Sequence, residues 1–591
     1  MKSWRHDACA KSIIQTAVVT PNFFSTGKKS WTVSNGEYGK PNLFKVSGSR
    51  WFTGRACFAK LESSQRRDPP VAKQSLKTFF RTLSLLPALL IMTSLTSAEQ
   101  FANVGTGAVD YEAADYQANM RCKDLVATSN YDYTIISARQ IPASGDVPEH
   151  CRVSGLVQSE VRFEVNLPLA WNGRLYMYGN GGLAGTPAED PGKQLSRNQA
   201  LRRNFATAYT DTGHDRRAEP GGTFAYNNFH KLVDYGFRAV HLTVTSAKRI
   251  AHSFFAQAPN HSYWDGCSTG GRQAMISAQR FPEDFDGIIA GASAADYSGL
   301  KFSQAWRVSA ITRSGLEEAE VVELSKHIYA RCDALDGLED GLISDPRDCD
   351  FNVDQLPKCR GKDTVECFDD QEIDALKQYY APVVLAGEEI YPAIPVGSEI
   401  VGATYGGSQR TGWFPWLINP DGRTLLDQLG SDFFRYMVFF QDRPDFDWTE
   451  FDYVERPDGL EEFRAIVDAL DTDLSSLKAN GGKILSYFGW ADPDINPLTL
   501  ISYRDQVQAL DSEVDDYFRV FLLPGVFHCR GGAGPDRFDS MTPLVDWVEQ
   551  GIAPNEFETW QELEVGKRSN SRPACAHPKS AKHIDGEFQC Q

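Results

Sequence analysis

The sequence predicts an α/β fold whose strand-and-helix sheet is interrupted by a large insertion, and three observations predict it. A short apolar stretch from Ser262 runs into a Gly-x-Ser-x-Gly turn at 266–270 and then a helical pattern. Two later apolar runs, 483–489 and 517–523, each lead within a few residues to a side chain capable of acid–base chemistry. Ser268 and Asp492 lie 224 residues apart, far more than the remaining strands and helices of one sheet require.

From the N-terminus, residues 1–70 carry twelve basic and four acidic residues with no sustained helical or strand periodicity. Lys73, Lys77 and Arg81 then precede the apolar run 83–95 and the small residues Thr96-Ser97-Ala98. A basic start, an apolar run too short to span a bilayer and small residues at its end are the pattern of an export signal. Residues 71–98 are therefore expected to be a signal peptide, with the true start near Val71 and 1–70 an extension upstream of it. The expected mature chain is secreted or periplasmic.

The whole chain of 591 residues is 42% hydrophobic and 23% charged, ordinary for a globular protein, with a net charge of −18. Without the basic leader, residues 99–591 hold 45 Lys+Arg against 74 Asp+Glu, a net −29. A nucleic-acid surface needs a basic face to neutralise phosphates, so that class of partner is excluded.

Ten of the twelve cysteines follow the leader, an even number that reads as disulfides in an exported chain. Proximity in sequence suggests Cys122–Cys151, Cys332–Cys349, Cys359–Cys367 and Cys575–Cys590. Cys267 and Cys529 remain as a long-range pair.

The run Gly179-Asn-Gly-Gly-Leu-Ala-Gly185 follows an apolar stretch, 174–178, and has the backbone freedom to supply an oxyanion donor. The Gly-x-Ser-x-Gly segment has the form of a nucleophile elbow. Its glycines permit a strained strand-to-helix turn that projects the Ser268 hydroxyl and leaves the Thr269 N–H facing a developing oxyanion. Such a serine needs a base and an orienting carboxylate, in the chain order Ser, Asp/Glu, His. Asp492, three residues past Gly489, is the expected carboxylate, with Asp494 its rival; His528, after the second run, is the expected base. A Cys267–Cys529 bridge would then tie nucleophile and base together, since each cysteine neighbours one of them.

Gly266-Cys-Ser-Thr-Gly-Gly-Arg-Gln, Ala278-Gln-Arg-Phe-Pro-Glu-Asp-Phe-Asp-Gly-Ile, Trp490-Ala-Asp-Pro and His528-Cys529 together resemble the tannase and feruloyl esterase family of α/β-hydrolases. The resemblance extends over roughly 122–560. It implies a Ser268–His528–Asp492 triad, an oxyanion hole of Thr269 and a glycine of the 179–185 run, Gly182 in preference to Gly181, and a bridge between the two flanking cysteines. It also implies a catalytic domain of 99–296 and 476–591 with a lid of 297–475 between. The segment Cys332-Asp-Ala-Leu-Asp-Gly-Leu-Glu-Asp-Gly-Leu is a tight acidic loop, and oxygen donors of this kind suit a hard cation. By the resemblance it binds a structural Ca2+ through Asp333, Asp336 and Asp340 and the carbonyls of Leu338 and Leu342.

Trp413, Phe414 and Trp416, in an aromatic stretch of the lid, are candidates for a wall that stacks on an aromatic acyl group. The expected activity is hydrolysis of small feruloyl- or galloyl-type esters. The alternatives are an esterase for another aromatic ester, such as a terephthalate monoester, and a non-catalytic polyphenol- or carbohydrate-binding relic.

Overall fold

The computed structural model describes residues 100–591 except 112, 159, 361–364, 406, 421 and 565–566; the leader expected over 1–98 lies outside the described residues. A nine-stranded mixed sheet organises them. Its strands are β1 (Tyr133–Ile141), β2 (His150–Val157), β3 (Val161–Pro168), β4 (Arg174–Tyr178), β5 (Ala206–Thr210), β6 (His261–Cys267), β7 (Gly287–Gly291), β8 (Lys483–Gly489) and β9 (Phe518–Leu523). Their spatial order is β9-β8-β7-β6-β4-β5-β3-β2-β1. Strands β9 to β5 run parallel, and β3, β2 and β1 continue as an antiparallel edge.

Strand composition follows from this placement. The central parallel strands are covered on both faces, so β5, β7 and β8 are buried along nearly their whole length, with Thr207, Thr210 and Ser486 as buried polar residues among otherwise apolar or aromatic positions and Lys483 at the entrance of β8. In β1, by contrast, buried and exposed positions largely alternate, as expected of a strand with one wet face.

The helices that position the site are α1 (Pro191–Leu201), α2 (Ala239–Phe255) and α3 (Thr269–Arg280) on the catalytic half, with α4 (Tyr297–Ser314), α5 (Glu318–Cys332), α6 (Asp370–Tyr380), α7 (Leu425–Tyr436) and α8 (Leu460–Val467) between β7 and β8. After β8 come α9 (Pro497–Leu510) and α10 (Met541–Gln550). Val240, Val244, Ala247, Ala251 and Phe254 form one apolar face of α2 against the sheet. Met541, Leu544 and Val545 of α10 belong to a second cluster with Ile289, Leu485 and Phe521, so both faces of the sheet are covered. The starts of α5 and α6 are fixed by reciprocal capping boxes, Glu317 with Glu320 and Asp369 with Glu372.

The segment between β7 and β8 does not enclose a core of its own. One buried cluster runs from Val165 and Ile288 in the sheet through Phe302, Leu376 and Phe433 of the insertion. Moving the insertion as a body would therefore expose shared core, a larger cost than opening a polar interface.

Among the described residues five disulfides form, joining Cys122 to Cys151, Cys267 to Cys529, Cys332 to Cys349, Cys359 to Cys367 and Cys575 to Cys590. His577, between the last two cysteines, is buried. The tail folds back onto the sheet edge, where the His577 N–H donates to the Val520 carbonyl at 2.8 Å. Among the described residues no helix is long and apolar enough to cross a membrane.

Candidate active site

The carboxyl ends of β4, β6 and β8 and the loop after β9 converge on one cavity of about 380 Å3. Strand ends of a parallel sheet are where chemistry concentrates in open α/β folds, because the loops there are free of the ladder. Ser268 sits between β6 and α3 with φ +64° and ψ −123°, strained for a side-chain-bearing residue and compatible with an exposed hydroxyl. The flanking glycines are sterically required: a Cβ on Gly266 would lie 2.6 Å from the Gly270 carbonyl oxygen. The Ser268 N–H donates to the Gly291 carbonyl of β7 at 3.0 Å, fixing the turn to the sheet. Thr269 opens α3, and N–H groups of a first helical turn have no acceptor within the helix.

Asp492 and His528 meet at 2.7 Å, Asp492 Oδ2 to His528 Nδ1, with the carboxylate fully buried and the imidazole 10% exposed. The other carboxylate oxygen accepts the N–H groups of Asp494 and Ile495 at 2.9 and 3.0 Å. Burial alone would lower the imidazole pKa, but the Asp492 carboxylate, joined by a smaller contribution from Asp494, outweighs it and holds His528 above its usual value. With Nδ1 engaged, Nε2 is the nitrogen left for a substrate or nucleophile. Asp494 turns elsewhere: its carboxylate accepts from Gln304 Nε2 at 2.7 Å, while Arg307 donates to the carbonyls of Pro493 and Asp494. Gln304 and Arg307 both lie on α4, so the first helix of the insertion braces the Asp492 turn.

The Cys267–Cys529 bridge, with Cα atoms 6.0 Å apart, joins the residue before Ser268 to the residue after His528. Both Ser268 and Cys529 have positive φ, so the bridge connects two turns that are each held out of regular geometry.

The glycine loop after β4 borders the same cavity. Gly182 has φ +54°, and its carbonyl is drawn away from the mouth by the Thr269 hydroxyl and by Tyr235 at 3.3 Å. Asn180 and Gln273 clasp each other, Asn180 N–H to Gln273 Oε1 and Gln273 Nε2 to Asn180 Oδ1, both at 3.1 Å. His214 holds the Leu183 carbonyl through Nε2 at 2.9 Å, and burial pushes its pKa down to about 4, which keeps it a neutral donor. Tyr235 and His214 lie outside any motif, and Asn180 and Gln273, though inside quoted segments, have a pairing that only tertiary structure reveals.

Of the three aromatics expected in the wall, only Trp416 lines the cavity, its ring 5.1 Å from that of His528. Trp413 and Phe414 belong elsewhere. Trp413 is fully buried, donates to Ser398 Oγ at 2.9 Å and packs on Tyr379, because an indole N–H taken from water needs a partner. Phe414 lies beneath the Arg410 guanidinium at 3.6 Å and against Tyr405. Leu429 of α7, absent from the sequence reading, completes the wall beside Trp416.

The acidic loop of the insertion closes on itself between Cys332 and Cys349. Asp333 accepts the N–H groups of Asp340, Gly341 and Leu342, Asp336 accepts that of Leu338 and the Ser344 hydroxyl, and Asp340 meets the buried Arg572 of the C-terminal hairpin. Three carboxylates and two carbonyls within ten residues fit a hard cation in donor type. Among the described residues, however, no three His, Cys, Asp or Glu side chains are gathered as a metal cluster.

A family model described as tannase and feruloyl esterase matches residues 145–591. The chain is 31% identical over 504 residues to a mono(2-hydroxyethyl) terephthalate hydrolase of Piscinibacter sakaiensis, covering 74% of this chain and 83% of that one. It is 33% identical over 467 residues to a probable feruloyl esterase of Arthroderma benhamiae, covering 73% and 83%. Among solved structures, feruloyl esterase B from Aspergillus oryzae superposes with a TM-score of 0.67 at 25% identity, over 80% of this chain and 99% of that one.

Proposed function

The chain belongs to the tannase and feruloyl esterase family and is a carboxylic ester hydrolase, and from that premise we propose that it cleaves esters of aromatic acids with Ser268 as nucleophile. The proposed frame is an α/β-hydrolase, 99–296 with 476–591, under a lid of 297–475. The observation that carries the mechanism is the 2.7 Å contact between Asp492 and His528, in a cavity that the strained Ser268 also lines.

His528 Nε2 takes the Ser268 proton as Oγ attacks the ester carbonyl, and Asp492 orients the ring and stabilises the imidazolium. The negative charge on the tetrahedral oxygen falls to the N–H groups of Thr269 and Gly182, one such donor being worth about 2.7–4 kcal/mol in the transition state. Collapse expels the alcohol, protonated by His528. Water activated by the same imidazole then releases the acid from Ser268. Trp416, beside His528, supplies an aromatic wall for the acyl group.

A terephthalate monoester is the second reading of the substrate, favoured by the similarity to the Piscinibacter enzyme. A panel of methyl ferulate, methyl gallate, p-nitrophenyl acetate and a terephthalate monoester, run with wild type and Ser268→Ala, tests the assignment. Turnover of at least one ester by the wild type, lost by about 10^4-fold or more in the variant, is expected. A variant that keeps the wild-type rate removes Ser268 from the chemistry.

Export is supported by the five disulfides, which persist in oxidising compartments. For the acidic loop, Asp333, Asp336 and Asp340 with the carbonyls of Leu338 and Leu342 would hold a calcium ion, which when bound would brace the insertion away from the reacting atoms.

A further inference from the structure

The cavity carries more positive charge than ester hydrolysis requires. Arg530, two residues beyond His528, lines its wall and is only partly exposed. Among the described residues its guanidinium has neither a hydrogen-bond acceptor nor an ion-pair partner. The acid nearest in sequence, Asp536, is committed to the Gly531 N–H at 2.8 Å. Burial pulls the Arg530 pKa down, with the charges of Tyr487 and Asp536 opposing.

A second cation, Lys193 of α1, lines the same cavity, its Nζ on the Gly179 carbonyl at 2.5 Å. Burial brings that ammonium down to about 8, still charged at neutral pH. Its charge is opposed first by Asp190 and then by Asp265, which accepts the Tyr176 hydroxyl at 2.6 Å and is pushed up by burial to about 6. Lys193 thus has acids of its own to answer it. Asp494, the other acid of the lining, is tied to Gln304. The charge of Arg530 is left over.

An uncompensated guanidinium in a concave, partly dry site is costly, and a planar two-oxygen anion matches its fork of donors better than any neutral group. We propose that Arg530 is the carboxylate-recognition residue of this cavity, so that the preferred substrate bears a free carboxylate besides the scissile ester. The inference rests on the esterase reading of the same cavity. The carboxylate has two possible sources, a dicarboxylic acyl half, as in a terephthalate monoester, or an acidic alcohol half, as in an aromatic ester of quinic acid.

The test compares kcat/KM for monomethyl terephthalate against dimethyl terephthalate, and for caffeoylquinate against methyl caffeate, in wild type, Arg530→Gln and Arg530→Lys. For one pair, the acid-to-neutral ratio is expected to fall at least tenfold in Arg530→Gln, chiefly through KM, and to recover in part in Arg530→Lys. The pair that responds identifies the half carrying the carboxylate. Ratios unchanged within twofold for both pairs overturn the proposal. If the variants do not fold, inhibition of wild type by benzoate against benzamide decides: a tenfold preference for the anion supports the site, and equal inhibition overturns it. Should no ester be turned over, the esterase reading fails, and titration calorimetry of terephthalate and of quinate into Ser268→Ala still reads the anion site. Binding of either supports it and binding of neither overturns it.

Discussion

At the scale of single residues, His528 as the proposed base would govern how the activity responds to pH. It could take a proton only when neutral, and the Asp492 carboxylate raises its pKa. The acid limb of kcat/KM is therefore expected above the usual imidazole value of about 6.5, and Asp492→Asn is expected to move that limb down while costing about 10^4 in kcat. Asp494→Asn, which removes only the smaller charge contribution to His528, should move the limb down by less; a larger shift in that variant than in Asp492→Asn would reassign the carboxylate. The same raised pKa has the opposite sign for stability. The protonated imidazole stabilises the fold fully below its ordinary pKa, and that contribution is lost as pH rises through the folded-state value. Sequence favoured Asp492 but kept Asp494, two residues on, as its rival, because the choice depends on which way a turn points its side chains. The turn is held by Gln304 and Arg307, 186–190 residues away in sequence. The aromatics fail for a related reason: Trp413 and Trp416 lie in one apolar run, and only tertiary packing determines which faces the cavity.

At the scale of elements, the Cys267–Cys529 bridge joins two turns across 262 residues of chain. Replacing both cysteines with serine is expected to lower stability by about 2–5 kcal/mol, seen as a reduced melting temperature, and to reduce kcat more than KM because nucleophile and base lose their mutual register. A double variant with wild-type kcat would make the bridge structural only. The strands nearest the chemistry were legible: 174–178 and 483–489 read directly as apolar runs, since strands covered on both faces need apolar side chains throughout. The burial of His577 was not legible, for it depends on a tail hairpin reaching the sheet edge. The supporting pairs of the glycine loop, Asn180 with Gln273 and His214 with Leu183, were invisible for the same reason, as each joins elements far apart in sequence.

At the scale of the whole molecule, catalytic sheet and insertion share one core, so the acidic loop's stability is expected to be felt globally. If the loop holds calcium, EDTA should lower the melting temperature and elemental analysis should find about one equivalent of the metal; an unchanged melting temperature and no metal would leave its carboxylates to Arg572, the Ser344 hydroxyl and the N–H groups. The central claim is that one serine, at the strained turn after β6, carries the chemistry. Labelling with diethyl p-nitrophenyl phosphate, followed by peptide mass spectrometry, tests it most directly. The account predicts a single stoichiometric adduct on Ser268, with loss of ester hydrolysis in step with labelling. Full inactivation with the adduct on another residue, or full labelling of Ser268 with activity intact, would contradict it.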